Sequence, residues 1–161
     1  KTGDSIDLQI GTNPKADPKR REPVPGDVRL LIAPYGGETI AVSYRHRLGG
    51  APGQAVTFTS PWRSETVDDV RRIAGAKIAV QRGGGQYSIE AAIPLAELGW
   101  KPQAGGTYRG DVGVIYGDDA GTVNLLRSYW SNEATALVND VPGEIMLFPA
   151  QWGELRVEER K

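Results

Sequence analysis

Hydrophobic and polar residues alternate along several short stretches of this chain. From Asp4 to Ile10, Ile6, Leu8 and Ile10 fall on one face and Ser5, Asp7 and Gln9 on the other, the two-residue period of a strand with one face buried. Asp27 to Ala33 and Thr39 to Arg47 flank the turn Pro34-Tyr35-Gly36-Gly37, which predicts an antiparallel hairpin. Lys77 to Gln81 and Gln86 to Ile93 flank Gly83-Gly84-Gly85 and predict a second. Asp111 to Tyr116, Leu125 to Trp130, Ile145 to Phe148 and Trp152 to Val157 add further strands. Only Val67 to Ile73 and Pro94 to Leu98 read as helical. In the latter, Pro94 ends the alternation and suits a first helical turn, and Gly99 closes it. The fold class expected is all-β, an antiparallel β-sandwich of immunoglobulin-like or jelly-roll type with one or two short helical turns.

Composition supports this reading. The 161 residues suit a single domain spanning 1–161, and 21 glycines with 11 prolines suit strands joined by turns. The absence of cysteine excludes disulfides, thiolate metal sites and a cysteine nucleophile. A net charge of −1 gives no reason to expect nucleic acid or a membrane surface as partner. The basic run Lys15 to Arg21 reads as a solvated loop punctuated by prolines. No apolar stretch of about 18 residues exists to span a membrane. A start at Lys1, with Met146 the only methionine, suggests a chain processed or cut from something longer.

Enzyme signatures are sparse. The single histidine, His46, stands between two arginines with no partners assigned by spacing, and is expected to be a surface or hydrogen-bonded residue. Gly83-Gly84-Gly85 lacks the Lys and Ser/Thr of a phosphate loop. A haem would want an axial His or Met, and the chain holds one of each, so a site could use His46 and Met146 as a pair.

The aromatic residues carry more information. Trp62, in the polar stretch Ser60-Pro61-Trp62-Arg63-Ser64, is either an exposed face on which a sugar ring could stack or a plug at the end of the sandwich. Trp100 is expected at the core edge, Trp130 and Trp152 in the interior. The loop Gly117-Asp118-Asp119-Ala120-Gly121 gathers two carboxylates; Asp118 and Asp119 are candidate ligands for Ca²⁺, or else ordinary turn residues.

Taken in order, Gly3-Asp4-Ser5-Ile6-Asp7-Leu8-Gln9-Ile10, Tyr87-Ser88-Ile89-Glu90-Ala91-Ala92-Ile93-Pro94, the Asp118 loop, Tyr129-Trp130-Ser131 and Trp152-Gly153-Glu154-Leu155-Arg156-Val157 resemble the family 9 carbohydrate-binding modules over almost the whole chain. The resemblance implies a sugar held between two tryptophans, with a carboxylate and an arginine gripping hydroxyls. The carboxylate position falls on Asp7 and the arginine on Arg29, both expected to face outward. The tryptophan positions fall at Lys1 and near Met146, so the aromatic clamp is absent and sugar binding would use Trp62 or Tyr35 instead. Family members also carry further strands before the Asp4-Ser5 strand, so the domain is expected to lack its N-terminal strands or to receive them from another segment.

The function expected is therefore that of a non-catalytic carbohydrate-binding module of a secreted multidomain bacterial protein. Its partners would be a poly- or oligosaccharide and other domains of the parent, in a secreted, periplasmic or cell-surface setting. The alternatives are a structural or interaction domain without sugar binding, and a haem-carrying relative.

Overall fold

The computed structural model of the protein describes residues 3–50, 53–135 and 140–158. Among them the chain forms strands β1 (Ser5–Gly11), β2 (Asp27–Tyr35), β3 (Glu38–Arg45), β4 (Val56–Thr59), β5 (Ser64–Val67), β6 (Asp69–Arg72), β7 (Lys77–Gly83), β8 (Gln86–Ala92), β9 (Thr107–Gly117), β10 (Asn124–Tyr129) and β11 (Gly153–Arg156). Helix α1 (Val141–Ile145) and two 3₁₀ turns, Leu95–Leu98 and Pro149–Gln151, complete it. Seven strands make one antiparallel sheet in the order β10-β9-β1-β2-β3-β6, with β11 beside β9, while β4–β5 and β7–β8 are separate hairpins. The fold is all-β, antiparallel and sandwich-like, as the alternation predicts.

The register sorts the side chains onto two faces. Ile6 lies opposite Ile32, Leu8 opposite Leu30 and Ile10 opposite Val28. These make the apolar face, joined by Ala41 and closed by Ile73 and Leu98. The β7–β8 hairpin supplies Ile78 and Ile89 to the same cluster, and Ile93 and Trp100 pack at its margin. Each such aliphatic side chain stabilises the fold by roughly 1.5–3 kcal/mol when fully buried. Trp100 meets Tyr108 edge-on at 5.3 Å, at the core edge as expected. The strand-to-turn joint is also as expected. Pro94 leads into the 3₁₀ turn, and Gly99, at φ 62°, ends it in a conformation that favours glycine.

The other face is covered by parts that periodicity did not show. The β4–β5 hairpin lays Phe58 6.4 Å from the Tyr44 ring, and α1 crosses above Arg29, whose Nη1 donates to the Glu144 carbonyl at 2.8 Å. Two expected elements are corrected here. Val67 to Ile73 is not helical: Val67 ends β5 and Asp69–Arg72 is β6, paired with β3. Ile145 to Phe148 is not a strand, because Pro142 and Pro149 set short helical turns on either side of it. The basic run is a loop, but Arg20 turns inward to hold Asp27 at 2.6 Å beneath the Trp152 ring.

Part of the apolar face has no cover among the described residues. Val112 and Tyr116 on β9 and Leu126 on β10 are exposed there, and Trp130, over Gly153, is 56% exposed. Trp130 is thus not interior as its strand-like surroundings suggest, whereas Trp152 is buried.

Candidate functional site

Strands β1 and β2 are neighbours, and Asp7 and Arg29 project from the same sheet face. Arg29 grips Asp7 through a hydrogen bond from Nε to Oδ1 at 2.9 Å and an ion-pair contact of Nη2 with Oδ2 at 2.8 Å, the two-point approach that suits a guanidinium and a carboxylate. The expectation that they face outward is corrected: Asp7 is 0% and Arg29 2% exposed. The face is mixed, with the ion pair beside the apolar cluster of Leu31, Ala33 and Ile115, and it is enclosed because β4–β5 and α1 lie over it. Neither group reaches solvent, so neither grips a ligand directly in this conformation.

The pair instead anchors a network. Tyr129 donates its hydroxyl hydrogen to Asp7 Oδ2 and accepts from Arg127 Nη2 at 2.8 Å, and Arg127 also donates to the Glu144 carbonyl at 3.0 Å. Gly113, opposite Asp7 in the register, makes the approach possible. A Cβ there would stand 2.5 Å from the Tyr129 ring. Gln9 links the cluster to Trp152, accepting from its Nε1 at 2.9 Å. Asp111 accepts the backbone N–H groups of Ser131 and Asn132, each at 2.9 Å, and so fixes the chain leaving β10. Burial alone would lower the pKa of Arg29, but the charge and hydrogen bond of Asp7, with the neighbouring Tyr129 and Tyr44, together outweigh it and hold the guanidinium above its ordinary value. Burial raises the Tyr129 phenol, and Asp7 raises it further.

Above this floor lies a cavity of about 120 Å³ bordered by Gln9, Arg63, Arg127, Tyr129, Asn132 and Phe148. Arg127 is 8% exposed, and its Nε has no hydrogen-bond partner among the described residues. Nearby, Arg63 approaches Asp140 at 3.2 Å, but the pair is not aligned as a hydrogen bond and both Asp140 oxygens lack such a partner. The free Arg127 N–H is complementary to a hydroxyl oxygen, which accepts. Planar amides, guanidinium groups and an exposed ring, Phe148, border the cavity together.

The other residues singled out in the sequence are dispersed. Trp62 sits in the β4–β5 turn with 76% of its surface exposed, next to Arg63 on the cavity wall. Tyr35 is exposed at the β2–β3 turn, beside a different cleft. Asp118 caps its own loop, accepting at Oδ1 from Thr122 N at 2.5 Å and Val123 N at 3.1 Å, and at Oδ2 from Thr122 Oγ1 at 2.8 Å. The Val123 amide, with the Thr122 hydroxyl, lowers its pKa. Asp119 has no such partner among the described residues. There, no group of three or more His, Cys, Asp or Glu side chains is placed to hold a metal.

His46 is buried rather than at the surface, with Nδ1 3.3 Å from Glu65 Oε1. Burial, then the charges of Arg29 and Arg47, lower its pKa to about 4. At neutral pH the Glu65 contact is therefore a hydrogen bond to a neutral imidazole, not an ion pair. A haem on His46 and Met146 does not fit: the imidazole is enclosed, and Met146 borders a cavity of about 120 Å³, far smaller than a porphyrin. Among the described residues no helix is long and apolar enough to cross a membrane.

Arg127, Tyr129 and Gly113 were not singled out in the sequence. The signal was present only in part: Arg127 and Tyr129 share one parity of β10, apart from Leu126 and Ser128, but nothing local shows that their face is covered. Compared with protein-family models, curated proteins and solved structures, the chain matches none.

Proposed function

We propose that this chain is a non-catalytic carbohydrate-binding module in which Trp62 stacks on a sugar ring beside the cavity bordered by Arg63, Arg127 and Asn132. The observation that carries the reading is the exposure of Trp62, 76% of its surface, at a hairpin turn one residue before Arg63, which borders the cavity. A large apolar ring left in water, in the same hairpin turn as Arg63 on the wall of a cavity where the Arg127 Nε–H is unmatched among the described residues, suits a pyranose, which offers C–H groups on one face and hydroxyls at its rim. The buried Asp7–Arg29 pair serves this site indirectly, by holding Tyr129 and Arg127 in place. The setting that goes with such a module is a secreted, periplasmic or cell-surface protein with further domains. Titration of the protein against an array of oligosaccharides tests the reading: binding of at least one glycan supports it, and no binding to any glycan contradicts it.

A second reading, an interaction domain of the same fold, is favoured by the exposed apolar patch of Val112, Tyr116, Leu126 and Trp130. An apolar sheet face of this kind marks a contact surface when it extends over a few hundred Å².

A further inference from the structure

A second cleft, lined in part by Pro34, the neighbour of Tyr35, is separate from the cavity bordered by Arg63, Arg127 and Asn132. It encloses about 500 Å³ where the β2–β3 end of the sheet meets the β7–β8 hairpin, within the range of small-ligand sites. Its apolar lining comes from Ile32, Val80 and Ile89, and its polar lining from Asp4, Asp118, Asp119, Arg82, Gln86 and Tyr87. The carboxylates differ in what remains to them. Asp118 is spent on its own loop, through Thr122 and Val123. Asp4 gives Oδ1 to Gly117 N at 2.9 Å and keeps its other oxygen. Asp119 has no hydrogen-bond or ion-pair partner among the described residues. Against these stands one cation, Arg82, also without such a partner there.

We infer that this cleft binds an amine-bearing sugar, a hexosamine unit of a glycan, with its ammonium group between Asp4 and Asp119 and its ring against the apolar lining. A lining that combines apolar side chains with free carboxylate oxygens fits a ring with a cationic substituent better than a neutral pyranose, which gains nothing from the charge. Gln86 and the Tyr87 hydroxyl supply neutral partners for ring hydroxyls. Burial and then the Asp4 charge raise the Tyr87 pKa, so the phenol is protonated and able to donate. Arg82 is the one group that opposes the amine, which gives the inference a sign that a structural role would not reproduce. The inference rests on the carbohydrate reading but on a different site from Trp62.

The test is titration calorimetry of the full chain with glucosamine oligomers, and with their N-acetylated counterparts as neutral controls. The amine oligomers are expected to bind at least tenfold more tightly, an advantage that shrinks at 0.5 M salt as screening weakens charge attraction. Asp119→Asn should weaken amine binding about tenfold and Arg82→Gln should strengthen it, with both proteins melting as the unaltered chain does. Trp62→Ala should leave amine binding unchanged. Equal binding of amine and N-acetyl oligomers, or weakening by Arg82→Gln, overturns the inference without touching the Trp62 site. Loss of amine binding in Trp62→Ala with no response to Asp119→Asn also overturns it, by placing all sugar binding at the other site.

Discussion

Tyr129 lies across Gly113 to reach Asp7, and the hydrogen bond it donates there ties edge strand β10 to the central ion pair with Arg29. The enclosed face is thus built inward from an ion pair, with the candidate cavity as its upper surface. Breaking that pair should therefore affect stability first and binding second.

Asp7→Ala or Arg29→Ala each leaves an uncompensated buried charge, and each is expected to destabilise the protein by about 3–5 kcal/mol. Replacing both with apolar residues of similar size, Asp7→Leu with Arg29→Met, should cost distinctly less, because no charge is stranded. Urea denaturation of the three variants checks this. A double variant less stable than either single one would mean that the pair contributes more than mutual neutralisation.

His46 makes stability depend on pH. Its pKa is lowered to about 4 in the folded protein, against about 6.5 in an unfolded chain. Below pH 6.5 the unfolded state takes up a proton that the folded state refuses, so stability is full above about 6.5 and falls as pH drops towards 4. The loss is on the order of 3 kcal/mol across that window. Glu65, whose pKa burial raises, acts in the opposite sense around and above its ordinary range and blunts the effect. Thermal melts from pH 7 to 4 should show the decline, and His46→Asn should flatten it. An equally steep decline in the variant would assign it to other groups.

Calcium at the Asp118–Asp119 loop would have to displace three hydrogen bonds that Asp118 already accepts from Thr122 and Val123. Millimolar Ca²⁺ is accordingly expected to leave the melting temperature unchanged, and Asp118→Ala to lower it slightly by freeing the loop. A melting temperature that rises with Ca²⁺ and falls with a chelator would show that the metal wins.

Strands β1, β7 and β8 were legible because each shows one face to a core and one to something polar, and β2 and β3 because their apolar runs flank a turn. What the alternation could not tell is whether the polar side meets water. Asp7 and Arg29 share a face, as their parity requires, but α1 and the β4–β5 hairpin cover it, and neither was legible. The hairpin strands Val56–Thr59 and Ser64–Val67 are short and half-exposed and carry little periodicity. The apolar run Ile145 to Phe148 resembles a strand until Pro142 and Pro149 are weighed. Missing these two covers and expecting Asp7 at the surface are therefore one error. Trp130 is the reverse case: its strand was legible, but the cover over its face was assumed. Tyr129 and Arg127 could be found only from the register, since their partner Asp7 is more than a hundred residues away in the chain.

The exposed indole of Trp62 carries the functional account, and one variant tests it. In Trp62→Ala the thermal melt should stay close to that of the unaltered chain, since a ring 76% exposed has little packing to lose, whereas truncating a buried tryptophan costs about 3–5 kcal/mol. Titrated with the best-binding neutral glycan, the same variant should lose binding by at least tenfold. Unchanged affinity in a normally folded Trp62→Ala protein would contradict the account and leave the apolar face around Trp130 as the surface to explain.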